Sequence, residues 1–190
     1  MTDEEAADNG TPKRDDGGHA ERDIDTTAPG RAWVFDDDID TDQIIPSRFL
    51  VSSDPDELGK HAFEDLRPAF SEDIAGGEYV VAGENFGSGS SREHAPHALV
   101  GAGVAGVVAQ SFARIFFRNC INLGLPVLIC PDADRIDEGD EISLHLDAGT
   151  VANHATGETY DAEPLPEFLQ DLVDRGGLKP YTEAKLADDG

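Results

Sequence analysis

A short glycine- and serine-rich segment carries the residues best suited to chemistry in this sequence. It runs from Gly83 to His94 (GENFGSGSSREH) and follows an apolar run that predicts a strand. Glycine allows tight turns and close approach of the backbone to a ligand, and Arg92 presents a two-pronged donor that suits a carboxylate. Ser90 and Ser91 are expected at the entrance of the next helix, where free N–H groups favour anions. The segment therefore predicts an anion site.

The charge pattern of the next segment supports this prediction. Acidic residues number 40 among 190, yet none occurs from His94 to Pro131, whereas Arg114 and Arg118 lie within this range and Arg92 lies just before it. Nearby carboxylates would cancel the attraction of these arginines for an anion. Burial alone also excludes acids, so a plain core segment is the competing interpretation.

Two other kinds of site remain open for these residues. The glycines could cradle a nucleotide phosphate, although the segment lacks the Gly-Lys-Ser/Thr of a P-loop and the third glycine of a dinucleotide fingerprint. His94 and His97 could bind a metal, but histidines in this arrangement are more often satisfied within the fold. Cys120 and Cys130 are expected to be small buried residues, and two cysteines cannot hold a four-iron cluster.

The elements that must position the segment alternate between strands and helices. Apolar runs predict strands at residues 79–82, 104–109 and 127–129. Helices are predicted between them, at residues 95–102 and, from a cap at Ser111, at residues 111–123. This alternation implies parallel strands joined by right-handed crossovers.

The rest of the chain completes one predicted α/β domain over residues 30–190. A strand is expected at residues 32–35, a helix from Asp54-Pro55 to Phe63, short antiparallel strands after Pro131 and a last helix at residues 166–175. Residues 1–29 contain nine acidic and three basic residues and almost no large apolar side chain. Such a segment cannot offset its chain entropy by burial, so we expect a disordered acidic tail.

The overall charge bounds the environment and the partners. The net charge is −26, so the acidic side chains repel one another at low ionic strength. In molar salt the Debye length falls to about 3 Å and this repulsion is screened. We therefore expect a halophilic protein from a salt-rich cytoplasm; an acidic interaction protein or a partly disordered one is the alternative. Nucleic acid is not an expected partner, because phosphate binding needs a basic face. The sequence predicts neither a membrane span nor a secretory signal.

Three ordered motifs together resemble a known family. They are DTDQIIP at residues 40–46, NFGSGSSREH at 85–94 and SFARI at 111–115. They resemble the small subunits of 3-isopropylmalate dehydratase (isopropylmalate isomerase), which are similar to the swivelling C-terminal domain of aconitase. The resemblance extends from Gly30 to about Tyr181. It implies a swivelling β/β/α domain and a hydro-lyase that is active only with a large subunit, as a heterodimer or heterotetramer.

The resemblance also implies roles for individual residues. Ser90 matches the general base that takes a proton from the carbon next to a carboxylate, and Ser91 and Arg92 match residues that hold a substrate carboxylate. Asp42 matches an aspartate that pairs with a histidine across the active site, here expected on the partner chain. The 4Fe-4S cluster is expected on the large subunit, and this chain is expected to bind no metal.

Supporting roles and the substrate follow from the same resemblance. Arg114 and His94 are expected behind the residues that touch the substrate. Relatives that use tricarboxylates tend to carry an arginine where this chain has Val51. An apolar side chain there favours the isopropyl group of 2-isopropylmalate, hence conversion to 3-isopropylmalate through 2-isopropylmaleate in leucine biosynthesis. Citramalate (methylmalate) or homoaconitate hydration is the alternative.

Two functions of other classes also fit the pattern. The anion pocket could sense a carboxylate without catalysis, or the glycine-rich segment could bind phosphate in a small nucleotide-binding protein. The joint presence of Asp42, Ser90, Ser91 and Arg92 favours catalysis over carboxylate sensing, and nucleotide binding by the isolated chain would indicate the phosphate-binding alternative.

Overall fold

A mixed β-sheet organises the part of the chain that the structure, a computed structural model, describes: residues 24–190. Its strands are β1 (Gly30–Val34), β2 (Glu78–Ala82), β3 (Val104–Ala109), β4 (Val127–Ile129), β5 (Glu141–His145), β6 (Thr150–Asn153) and β7 (Thr159–Asp161). The α-helices are α1 (Thr41–Ile44), α2 (Pro55–Gly59), α3 (Phe70–Asp73), α4 (His94–Gly101), α5 (Arg114–Asn122), α6 (Glu167–Asp174) and α7 (Leu178–Asp188). The strand order is β4-β3-β2-β1-β5-β6-β7.

One half of the sheet is parallel, as the strand–helix alternation predicts. β1 pairs with β2, β2 with β3 and β3 with β4 in parallel register. All six residues of β3 are buried, and its sequence VAGVVA is apolar throughout, as expected for a strand covered on both faces. α4 and α5 connect these strands. The predicted α/β fold with a parallel core is confirmed.

The other half of the sheet is an antiparallel extension. β5 pairs with β1, β6 with β5 and β7 with β6, all antiparallel. Burial alternates along β6 and β7, as in strands with one well-covered face. The predicted added strands after Pro131 are therefore confirmed.

A cluster of aromatic side chains fills the core beside β1. Phe35 stacks on Phe63 with ring centroids 4.1 Å apart, and Phe70 meets Trp33 edge-to-face at 5.0 Å. Edge-to-face and offset stacking are the favoured geometries of aromatic pairs, each worth about 0.5–1.5 kcal/mol beyond burial. The cluster fixes the segment between β1 and β2.

Helix α1 lies where the sequence predicts only a short apolar segment. Asp40 caps it: its carboxylate accepts the Gln43 N–H at 2.8 Å, and the Gln43 side-chain oxygen accepts the Asp40 N–H at 3.0 Å. This reciprocal pair is a capping box, which satisfies two backbone donors at once. It fixes the orientation of Thr41 and Asp42.

Ser111 does not cap α5, and that prediction is wrong. Its hydroxyl instead accepts the Asn85 N–H at 2.8 Å, and α5 begins three residues later, at Arg114. The backbone before α5 bonds to the glycine-rich segment, since the Phe86 N–H donates to the Ser111 carbonyl at 3.0 Å and the Ala113 N–H donates to the Phe86 carbonyl at 2.9 Å.

Two further helices differ from expectation in length or presence. The helix opened by Asp54, whose carboxylate accepts the Asp56 N–H at 3.0 Å, ends at Gly59 and not at Phe63. Phe63 has φ +55°, which is incompatible with a continuing right-handed helix. α7, with 11 residues, is not predicted by the sequence pattern. None of the helices in the described part is long and apolar enough to cross a membrane.

Ordered contacts begin before residue 30, the expected start of the domain. The Tyr79 hydroxyl bonds to the carbonyl oxygens of Thr26 at 3.0 Å and Ala28 at 2.8 Å, and the Leu144 N–H donates to the Thr26 carbonyl at 2.7 Å. Burial raises the pKa of Tyr79 to about 12. These bonds tie residues 26–28 to the sheet. The remainder of the expected tail, residues 1–23, lies outside the described residues.

Candidate active site

The three motif segments meet at one edge of the sheet. They follow β1, β2 and β3, and the carboxyl ends of parallel strands lie at the same edge, where ligand sites of α/β proteins are built. The Gly87 N–H donates to the Ile39 carbonyl at 2.7 Å, and the Thr41 N–H donates to the Ser88 carbonyl at 2.8 Å. Backbone bonds therefore hold the first and second motifs together.

Ser90 is held in place from two sides. Its backbone N–H donates to the hydroxyl of Thr41, a buried residue, at 3.1 Å. Its own hydroxyl accepts the Arg92 backbone N–H at 3.3 Å, and its side chain remains exposed. The residue before it, Gly89, has φ +102°, a conformation that L side chains rarely adopt. The Ser90 hydroxyl is thus exposed, while hydrogen bonds fix the position of its backbone.

Gly87 allows the segment to lie directly on α5. It has φ +82°, and a Cβ added at this position would lie 2.1 Å from the ring of Phe116, which is buried. Only glycine combines this backbone conformation with this close approach. The segment that carries Ser90 therefore rests on a rigid helix.

Four of the predicted site residues surround one small cavity. Its lining consists of Thr41, Asp42, Ile45, Leu50, Ser90, Arg92, His94 and Ala95. Its volume is about 10 Å³, room for about one water molecule and far below the roughly 300 Å³ or more of typical ligand pockets. This cavity alone is too small to enclose a ligand much larger than water.

The other predicted residues lie around this cavity. Ser91 is exposed, and its carbonyl accepts the Asn119 side-chain N–H from α5 at 3.2 Å. Val51 is 94% exposed and follows Leu50, which lines the cavity. Arg114 is exposed at the start of α5 and does not contribute to the lining.

The position of the two serines relative to α4 differs from expectation. α4 begins at His94 with Glu93 as its N-cap, so Ser90 and Ser91 lie upstream of the helix entrance. A tertiary contact and a backbone conformation accompany this difference: the Ser90 N–H donates to the Thr41 hydroxyl, and Gly89 has a positive φ. The donors near Ser90 are loop N–H groups and not the first turn of α4.

The two histidines of this region have different surroundings. His94 lines the cavity, and its Nδ1 atom is buried without a hydrogen-bond partner among residues 24–190. His97 lies on the same helix, with its Nε2 atom 3.9 Å from a Glu93 carboxylate oxygen. Within the described range, no group of three or more His, Cys, Asp or Glu residues is arranged to hold a metal ion.

Both cysteines lie in the core. Cys120 and Cys130 are free and buried, and burial raises the pKa of both thiols, that of Cys120 well above its usual value. Iron and zinc bind thiolates, which such burial disfavours. The expectation of small buried residues at these positions is confirmed.

Two contributors to the site have no recognised signal in the sequence pattern. Thr41 positions Ser90 through its hydroxyl, and Asn119 holds Ser91 from α5. Thr41 belongs to the first motif, so its place between Asp40 and Asp42 is the only hint. Asn119 lies in α5 beyond the third motif, which ends at Ile115.

Comparison with known proteins connects this geometry to a family. Residues 74–132, which span β2 to β4 and include the glycine-rich segment, match the family model of the aconitase C-terminal domain. The 3-isopropylmalate dehydratase small subunit of Methanosarcina mazei is 54% identical over 159 residues, with 84% of this chain and 98% of that protein covered. A small subunit of Archaeoglobus fulgidus is 52% identical over 155 residues, with 82% and 96% covered.

A solved structure agrees with the sequence relationship. The crystal structure of 3-isopropylmalate dehydratase from Methanocaldococcus jannaschii aligns with a TM-score of 0.80 at 38% identity, with 85% of this chain and 98% of that chain covered. Identity above one half over nearly the full length of the relatives, together with the shared fold, is decisive. This chain belongs to the family of 3-isopropylmalate dehydratase small subunits.

Proposed function

We propose that this chain and a larger partner subunit isomerise 2-isopropylmalate to 3-isopropylmalate in leucine biosynthesis. The reaction removes a hydroxyl group and a proton from neighbouring carbons, which gives 2-isopropylmaleate, and then returns water with the two positions exchanged. Family membership supports the reaction. The observation that carries the role of this chain is the convergence of Asp42, Ser90, Arg92 and His94 on one cavity.

Ser90 is the proposed base. Serine is a poor base in water and becomes effective only where nearby donors stabilise its alkoxide. The Ser90 hydroxyl accepts the Arg92 N–H and lies beside the cavity, and its exposed oxygen can face a bound substrate. After the elimination, the same hydroxyl can return its proton to the neighbouring carbon.

Arg92 is proposed to hold the carboxylate next to the carbon that loses its proton. Negative charge grows on this carboxylate during proton removal, so a fixed cation beside it lowers the barrier. In residues 24–190 no acidic side chain pairs with the Arg92 guanidinium, which leaves both of its prongs for a ligand. The exposed Ser91 hydroxyl is the proposed second contact.

The larger subunit is proposed to complete the site. The cavity of this chain is too small for the substrate, so a second wall must come from outside. A 4Fe-4S cluster held by the partner would act as a Lewis acid on the departing hydroxyl. Asp42 is exposed and has no ion pair within the described part of the chain, and we propose that it pairs with a histidine of the partner.

The segment from Arg48 to Val51 supports a dicarboxylate substrate. Val51 follows Leu50, which lines the cavity, and its exposed apolar side chain is the proposed contact for the isopropyl group. Arg48 is already engaged, because its guanidinium makes two hydrogen bonds to the Asp65 carboxylate at 2.6 and 2.8 Å. A third substrate carboxylate would find no free cation in this segment, at a cost of about 1–3 kcal/mol.

The test of the catalytic role is Ser90→Ala. The variant and the unmodified chain are each reconstituted with the cognate large subunit, and the absorbance of 2-isopropylmaleate is followed. We expect a loss of at least about 10³-fold in turnover, because the base is removed. Ser71→Ala, a half-buried serine of α3 that does not line the cavity, is the control. Turnover by Ser90→Ala at the unmodified rate would refute the assignment.

A salt-rich cytoplasm is the proposed environment. The net charge of −26 supports it, since the mutual repulsion is screened only at high ionic strength. Circular dichroism of the chain during dialysis from molar to millimolar potassium chloride tests this. We expect a loss of helical signal, and an unchanged spectrum would contradict the proposal.

A further inference from the structure

We propose that the exposed face of α5 formed by Arg114, Ile115 and Arg118, here called the α5 patch, docks a carboxylate-bearing surface of the large subunit. The proposal deepens the proposed function, which supplies the identity of the partner. It concerns how the two chains recognise each other and not the chemical step.

The arginines of the described part fall into two groups. Within residues 24–190, five arginines form ion pairs with carboxylates of this chain: Arg31, Arg48, Arg67, Arg135 and Arg175. Arg92, Arg114 and Arg118 form none with any described residue, and all three are exposed. In a chain with 40 acidic residues, three exposed arginines that meet no carboxylate among residues 24–190 are available to a partner outside that range.

The arrangement of the two helical arginines does not favour the fold of this chain. Arg114 is the first residue of α5, where a cation opposes the helix dipole. Arg118 follows one turn later on the same face, and like charges at this spacing repel each other. No acidic residue occurs from His94 to Pro131 to compensate. Carboxylates on another molecule would supply the compensating negative charge.

The composition of the patch indicates a protein partner and not the substrate. Neither Arg114 nor Arg118 lines the cavity, whereas Arg92 does. Ile115, between them in sequence, leaves half of its surface exposed. Arginine next to exposed apolar surface is typical of the centres of protein–protein interfaces, while a small anion gains nothing from the isoleucine.

The position of the patch next to the catalytic segment fits this partner. Asn119, on the turn of α5 that carries Arg118, donates a hydrogen bond to the Ser91 carbonyl at 3.2 Å. Ser91 adjoins Ser90 and Arg92, which line the cavity that needs a second wall. One partner surface can therefore cover the cavity and contact the patch at the same time. Its carboxylates would pair with the two guanidinium groups.

The experiment measures the dissociation constant of the small subunit for the purified, cluster-loaded large subunit, immobilised under anaerobic conditions. Arg114→Ala/Arg118→Ala is compared with the unmodified chain and with Arg135→Ala/Arg175→Ala, which removes the same charge from other elements. All chains are assayed at the lowest salt at which circular dichroism shows the native fold. We expect the α5 variant to bind at least about 10-fold more weakly and the control to remain within about 2-fold.

Two results would overturn the proposal: equal affinity of the α5 variant and the unmodified chain, or equal weakening by the control. Should the double variant lose its fold, Arg118→Gln, a change at an exposed mid-helix position, carries the test with an expected loss of about 3-fold. Ser90→Ala separates this proposal from the proposed function, because it should lose turnover and keep full affinity. Tight binding without isomerase activity of the unmodified complex would refute the function and leave the docking surface intact.

Discussion

The edge of the sheet where the three motif segments meet, here called the motif edge, differs from the antiparallel strands β5 to β7 in how its buried polar groups are hydrogen-bonded. In the antiparallel half, the buried Asn153 donates to the Asp140 carboxylate at 2.8 Å and accepts the Ala155 and Thr156 N–H groups at 3.0 and 3.3 Å. At the motif edge, by contrast, the buried Nδ1 atom of His94 has no partner among the described residues.

The contrast between Asn153 and His94 distinguishes polar groups that are hydrogen-bonded within the fold from a polar group that is available to a ligand or partner. A buried polar group that lacks a partner costs about 1–3 kcal/mol, so folded proteins satisfy such groups unless a ligand or partner does so later. Among residues 24–190, no buried side-chain nitrogen or oxygen of the antiparallel half lacks a hydrogen-bond partner. At the motif edge, the unpartnered Nδ1 atom of His94 agrees with the proposed division of the active site between this chain, a substrate and a second subunit.

Apart from Ser90→Ala, the largest expected effect comes from removing the cation at the motif edge. Arg92→Ala should lower kcat/KM of the reconstituted complex by about 10³-fold, because the developing charge on the substrate carboxylate loses its counter-charge. Arg92→Lys keeps the charge but not the two-pronged geometry and should recover only part of the loss. The free energy of unfolding should stay within about 0.5 kcal/mol, because the side chain is exposed and unpaired within the described residues.

The control is Arg175→Ala, at the end of α6 and outside both compared regions. Arg175 is exposed and its Nε atom lies 4.0 Å from an Asp171 carboxylate oxygen, remote from the cavity. It should leave kcat/KM unchanged. Equal losses for the two variants would mean that arginines at the motif edge have no special role.

A second prediction concerns the backbone of the motif edge. Gly87→Ala should lower the free energy of unfolding by about 2–4 kcal/mol, because the methyl group meets the Phe116 ring and φ is +82°. Gly157→Ala is the matched control, with φ +78° and open space around the added methyl group, and should cost about 1 kcal/mol. Urea unfolding measures both. Equal costs would show that the contact with α5 does not constrain the segment.

A third prediction tests the completeness of the antiparallel half. Asn153→Ala should lower the free energy of unfolding by about 2 kcal/mol, because two backbone N–H groups lose their acceptor and the Asp140 carboxylate loses one of its two donors. Turnover per folded complex should not change. Thr159→Ala, an exposed residue of β7, is the control and should have little effect on either quantity. A fall in turnover with Asn153→Ala would mean that the two regions are coupled.

The sequence predicts the regular parts of the molecule well, for physical reasons. β3 and β4 lie at the predicted residues. Short, continuous apolar runs between helices are typical of parallel strands that are covered on both faces of the sheet. α7 is missed because its residues do not alternate between an apolar and a polar face, and none of them is buried.

The motif residues could be chosen from the sequence, but their geometry could not. Ser90 and Arg92 were identifiable from residue type and motif, whereas the bond from Thr41 to Ser90 joins residues 49 positions apart. Ser111 has the residue type of a helix cap, yet it bonds to Asn85 on another segment. Contacts of this kind depend on tertiary packing, which local sequence preference does not contain.

The smallest predicted effect concerns the anchor of residues 26–28, which extends the internally satisfied half of the molecule. Tyr79→Phe should lower the free energy of unfolding by about 1 kcal/mol at pH 7, because the bonds of the hydroxyl to the Thr26 and Ala28 carbonyl oxygens are lost.

Burial raises the pKa of Tyr79 to about 12, above its value near 10 in the unfolded chain. Its contribution to stability is thus complete below pH 10 and is lost as the pH rises toward 12. By pH 11 the unmodified chain should have lost about 1 kcal/mol more than Tyr79→Phe, so their stabilities should converge. Denaturant unfolding at pH 7 and 11 measures this, with Tyr181→Phe as control. Parallel pH profiles for Tyr79→Phe and the unmodified chain would show that this hydroxyl is not buried in solution. Residues 26–28 would then not be anchored to the sheet through Tyr79.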